Sequence, residues 1–179
     1  ASTFNEVHLG KAARAEASGE ELLNLLENDI KEQTQCIVDI YSRYLFETAV
    51  FEQSQNKFLM ADDLKQIMLD AQKKTYGDGL DPECMHPYMW VCKGHYYSEG
   101  LSFYNCPYAF GNLFALGLYS QFEKEGEAFI GKYKAMLSAT PCCTIEEAGA
   151  MMGIDLTKKD FWRTGLSEIA EEIEQFCTM

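Results

Sequence analysis

The sequence predicts an all-α fold. Three observations carry that prediction. Apolar residues recur at helical spacing through most of the chain, helix-capping patterns punctuate it, and no stretch sustains the period-two alternation of a half-buried strand. At 179 residues the chain is long enough to bury a core and is expected to form a single helical domain over 1–179.

Ser18-Gly19-Glu20-Glu21 has the form of a capping box, in which Ser18 and Glu21 satisfy each other's free amides. Beyond it, Leu22, Leu25, Leu26, Ile30, Ile37, Tyr41, Tyr44 and Phe51 fall near one helical face, so one long helix is expected from about residue 19 to the middle 50s. Asp62 or Asp63 can cap a second helix that buries Leu64, Ile67, Met68 and Ala71, with Gly77 and Gly79 ending it. Residues 77–107 then read as irregular and hold a dense set of aromatics. Pro107 suits a first helical turn, and the helix it opens should turn Leu113, Leu116 and Phe122 inward and stop near Gly126. A helix over 126–137 is broken at Thr140-Pro141. Thr144-Ile145-Glu146-Glu147 is a second capping box, closed by Gly153. Thr157-x-x-Asp160 is expected to start the last helix.

Composition narrows the functions. Hydrophobic residues make up 47% and charged residues 24%, which reads as globular rather than disordered. The net charge of −13, from 15 basic and 28 acidic residues, argues against phosphate-directed nucleic-acid binding and against an anionic membrane surface. No apolar run is long enough to cross a bilayer. The seven cysteines form no regular framework, so reduced thiols and a cytoplasmic location are expected.

Chemistry concentrates in the irregular stretch. Of three histidines, His86 and His95 lie there, and His95 sits among Tyr96, Tyr97, Tyr104 and Tyr108. Phenols and an imidazole N–H are suited to stabilising the oxyanion of acyl transfer. The plainer alternative is an aromatic mini-core at the mouth of a helical bundle. A structural zinc site on Cys84, His86, Cys92 and His95 is a second alternative, although the spacing fits no common zinc pattern. The chain holds no His-Glu-x-x-His, no Gly-rich phosphate loop and no Gly-x-Ser-x-Gly.

Longer runs carry a resemblance. The segment Phe103 to Tyr119 (FYNCPYAFGNLFALGLY), the preceding Trp90-x-x-Lys93-x-His95-Tyr96-Tyr97, and the closing Gly153-Ile154-Asp155-Leu156 with Phe161-Trp162-x-x-Gly165-Leu166 resemble the C-terminal part of the oligoendopeptidase F family of zinc metallopeptidases. The opening Ala1-Ser2-Thr3-Phe4-Asn5-Glu6 resembles that family's Glu-Val-Ala-Ser-Thr-Phe-Asn-Glu stretch, so the likeness runs in order along nearly the whole chain. The resemblance implies a lobe of a zincin-type oligopeptidase acting on short peptides. Zinc would be held by His-Glu-x-x-His and by the first glutamate of the opening stretch, which falls two positions before Ala1. On that reading the zinc-binding half and the general base lie outside this chain, no cofactor is expected in it alone, and it should be inactive by itself. Glu6 corresponds to the second glutamate and is not a ligand.

The resemblance also implies roles. His95, Tyr108 and Tyr104 take the positions of the family's transition-state-stabilising histidine and tyrosines. Tyr108 is the main oxyanion donor and Tyr104 its helper, and Tyr96 and Tyr97 join them in substrate binding. The family's distant members carry a tyrosine three positions after the equivalent of Tyr108, where this chain has Gly111. A stand-alone helical peptide-binding module is the alternative function. Cut from a zinc-binding half, the lobe should expose apolar surface and self-associate; a strictly monomeric species in concentrated solution, by light scattering, contradicts this.

Overall fold

The computed structural model describes all residues from Ala1 to Met179; its regular elements are all helical, with no strand. Eight α-helices follow in order: α1 (Ser2–Glu16), α2 (Gly19–Thr34), α3 (Ile40–Ser54), α4 (Ala61–Tyr76), α5 (Cys106–Glu125), α6 (Glu127–Ala139), α7 (Ile145–Met151) and α8 (Lys159–Thr178). They group into two compact units. Residues 1–31 with 111–179 make the first, and residues 32–110 the second. None of the helices is long and apolar enough to cross a membrane.

The long helix expected from residue 19 is present but interrupted. Residues Gln35–Asp39 form a π-turn between α2 and α3. A π-turn adds a residue to the helical ladder and rotates the following face by about 100°. This is why the apolar series does not continue as expected. Tyr41, Tyr44 and Phe51 are exposed, and α3 instead buries Ile40, Ser42, Arg43, Phe46 and Glu47.

In the second unit, Phe46 of α3 meets Ile67, Met68 and Ala71 of α4, with Leu64, Met89, Trp90 and Tyr96 packed around them. Asp63 caps α4 by accepting the Met60 N–H at 2.9 Å, and its carboxyl is held below the usual range by Lys57 and by that N–H. The stretch after α4 is irregular, as expected, with short 3-10 turns at Met89–Cys92 and Gly94–Tyr96.

The first unit is built on an aromatic core. Phe129 of α6 stacks on Phe4 of α1 at 5.7 Å and on Tyr133 at 5.3 Å, and its edge meets Phe122. Leu118, Tyr119, Met136, Ala148 and Met152 complete the cluster. Helices α5 and α8 approach closely at two glycines. A Cβ on Gly117 would meet the Phe161 ring at 2.5 Å, and one on Gly165 would meet the Leu113 carbonyl at 3.1 Å. The capping box at Thr144 forms as read, with Glu147 accepting the Thr144 N–H and Thr144 accepting the Glu147 N–H. Gly153 closes α7 at φ +76°.

Two further elements differ from expectation. Helix α1 carries no capping or periodic signal. It is held instead by Phe4 and by two cations: Lys11 pairs with Glu123 and Glu168, and Arg14 with Asp29 and Glu172. The last helix begins at Lys159 rather than at Thr157, because the Thr157 N–H and hydroxyl both donate to Asp155.

Candidate functional site

His95 lies in the 3-10 turn 94–96, and Tyr108 in the first turn of α5. Both belong to the second unit. His95 Nε2 stands 3.2 Å from the Tyr108 hydroxyl. The Tyr104 ring lies 6.4 Å from His95 and 5.7 Å from Tyr108, edge-on to the latter. Three residues spread over fourteen positions of sequence thus form one cluster. The phenols face outward, with Tyr104 41% and Tyr108 45% exposed, while His95 Nδ1 is buried without a hydrogen-bond partner. The arrangement presents polar donors to solvent from a fixed base, as hydrogen bonding to a developing oxyanion requires.

A pocket of about 180 Å³ adjoins the pair, lined by Gln35, Cys36, Ile40, Arg43, His95 and Tyr108. The π-turn supplies its first two walls. Burial first, and then the nearby Glu32 carboxylate, push the Cys36 thiol up.

Beneath the aromatic cluster runs a buried polar chain that the sequence reading did not single out. Arg43 bridges the Asp39 carboxylate and Asn105 Oδ1, the latter at 2.9 Å, and Asn105 Nδ2 donates to Glu47. Gln35 donates to Asp39 at 3.0 Å, and Lys93 comes within 4.0 Å of it. The signal was present in the spacing. Asp39, Arg43 and Glu47 are four residues apart, so they share one helix face with Ile40 and Phe46, which are core residues. Charges alternating in sign on a buried face mark a network, because an isolated buried charge is too costly to keep.

Tyr96 has a different place from the one expected. Its ring is half-buried against Phe46 at 5.6 Å and Phe103 at 5.4 Å, at the edge of the core of the second unit. Burial first, and then the neighbouring Glu47 carboxylate, raise its phenol well above the ordinary range. The ring thus takes part in the packing of the second unit. Tyr97 is exposed on the same loop. Of the proposed zinc set, Cys84 lies against Asp81, His86 Nδ1 accepts the Tyr88 N–H, and Cys92 donates to the Tyr88 carbonyl; no three His, Cys, Asp or Glu side chains gather into a metal-binding group.

Glu47 supplies a pH prediction. Burial raises its carboxyl above the ordinary value of 4.5, outweighing Asn105, Tyr96 and Arg43, which lower it. The folded chain therefore holds this proton more tightly than the unfolded chain. The linked stability is fully present below 4.5 and is lost as pH rises through the raised value. Glu47→Gln is expected to remove this part of the pH dependence in urea unfolding measured from pH 4 upward. An unchanged difference between variant and parent across that window contradicts the assignment.

Comparison of the sequence and the fold with known protein families, curated proteins and solved structures finds no match.

Proposed function

We propose that this chain forms the substrate-facing wall of a zinc metalloendopeptidase of the oligoendopeptidase F type. The carrying observation is the His95–Tyr108 pair, 3.2 Å apart with Tyr104 beside it. The sequence resemblance assigns these same three residues to transition-state stabilisation, and the fold places them side by side from two separate segments. An all-α lobe with outward-facing phenols is also what a peptide cleft would ask of this half.

No three His, Cys, Asp or Glu side chains of these residues gather into one group. The resemblance puts the metal on a His-Glu-x-x-His helix outside these residues, where it would supply the activated water. What this chain does is bind and orient. The Tyr108 hydroxyl and His95 Nε2 offer hydrogen bonds to the carbonyl oxygen of the scissile peptide as it gains charge, and Tyr104 flanks them. Short, unstructured peptides are the substrate class, and the zinc-binding half is the partner.

The test is hydrolysis of a short internally quenched peptide by the whole protein that carries this chain. Zinc chelation should abolish cleavage, and added zinc should restore it. Cleavage indifferent to chelation overturns the reading. Peptide binding without any cleavage favours a stand-alone binding module instead.

A further inference from the structure

Asn105 is wholly buried, at 0% exposure, in a loop whose neighbours are almost all exposed. Its side chain is clamped on both sides. Arg43 can only donate, so it takes the amide oxygen, and this leaves the amide nitrogen to donate to Glu47 Oε1. Both partners come from α3. The arginine is anchored in turn by Asp39, and its side chain is only 6% exposed. The amide therefore has one fixed orientation.

The backbone of Asn105 carries that fixity outward in two directions. Its carbonyl accepts the Tyr108 N–H at 3.1 Å, in the first turn of α5. Its N–H donates to the Phe103 carbonyl at 3.0 Å, and the Phe103 N–H donates to the His95 carbonyl at 2.9 Å. Phe103 has φ +58°, a left-handed conformation that a bulky aromatic residue adopts only where its surroundings hold it. Its ring is held by Tyr96 at 5.4 Å and Phe51 at 4.8 Å. One residue, anchored to α3 by its buried side chain, is thus joined through backbone hydrogen bonds to the two segments that present His95 and Tyr108.

We infer that Asn105 is the positioning residue of the His95–Tyr108 pair, locking the separation of imidazole and phenol from beneath through Arg43 and Glu47. The inference rests on the proposed peptidase role only for its effect on turnover. The effect on the pair itself is independent of that role. The side chain must offer one donor and one acceptor on opposite edges, which the amide does and neither a carboxylate nor an alkyl group can. Asn105→Asp keeps the shape but sets a second carboxylate against Glu47; Asn105→Ala leaves both Arg43 and Glu47 without their partner.

The experiment has two readouts on the same protein. In the first, ring ¹⁵N spectra of His95 are recorded for the parent, Asn105→Asp, Asn105→Ala and Met68→Ala. Met68 is buried in the core of the same unit and lies outside the cluster, so its truncation reports on lost stability alone. The Nε2 signal should move in both Asn105 variants and stay in place in Met68→Ala. In the second, peptide hydrolysis is measured. The Asn105 variants should lose roughly tenfold to a hundredfold in kcat with KM little changed, since displacing a reacting group by an ångström costs about that much. Should Asn105→Ala fail to fold, the isosteric Asn105→Asp decides.

An unmoved His95 signal in Asn105→Asp overturns the inference whatever the activity. An equal shift or an equal loss of kcat in Met68→Ala also overturns it, by reducing Asn105 to general stability. Failure of the peptidase reading looks different: the parent cleaves nothing, while the His95 signal still moves in the Asn105 variants.

Discussion

Tyr108→Phe is expected to lower kcat for peptide hydrolysis by ~10²–10³ while zinc content is retained. The variant removes one oxygen and keeps the ring that packs edge-on against Tyr104 at 5.7 Å. Its effect on folding should be small, because the side chain is 45% exposed and the hydroxyl bonds to His95 at the surface. A donor used only in the transition state shows itself in kcat, with substrate binding little changed. His95→Ala should give a loss of the same order. Unchanged turnover in both variants removes the pair from the mechanism.

The second large effect is on stability. Phe129→Ala is expected to cost the first unit about 3–5 kcal/mol, the usual range for emptying a buried phenylalanine site. Phe129 is 1% exposed and touches Phe4, Phe122 and Tyr133, which come from three different helical segments. Collapse of the hole would require Phe4 to give up its tilted contact with Tyr133 and its edge-on contact with Phe122. Chemical denaturation followed by tryptophan fluorescence and far-UV circular dichroism measures the loss. A cost under about 1 kcal/mol would mean that the cluster repacks freely.

The helices with strong local signals were legible in the sequence, and those held by distant partners were not. The capping box at Thr144 and the proline entry to α5 are decided within a few residues, so they read directly. Helix α1 depends on Lys11 and Arg14 reaching Glu168 and Glu172 more than 150 positions away, and no local pattern carries that information. The π-turn at Gln35–Asp39 is one added residue in a helical ladder, invisible to a fixed 3.6-residue period, and it reversed the placement of Tyr41 and Tyr44.

The candidate site divides the same way. His95, Tyr104 and Tyr108 stand out in the sequence by residue type and by the resemblance. Tyr96 has the same chemistry as Tyr104 but turns inward, since the 3-10 turn that exposes Gly94 directs it onto Phe46. Asn105 went unnoticed because a lone asparagine in a loop has no signature; only its partners, Arg43 and Glu47 of α3, give it meaning.

A double-mutant cycle on kcat/KM for a short peptide tests whether His95 and Tyr108 act as one oxyanion-stabilising unit. Residues working through a shared hydrogen bond have strongly non-additive effects. His95→Ala combined with Tyr108→Phe should therefore lose little more than the worse single variant. Losses that multiply, or a double variant as active as the parent, would contradict it.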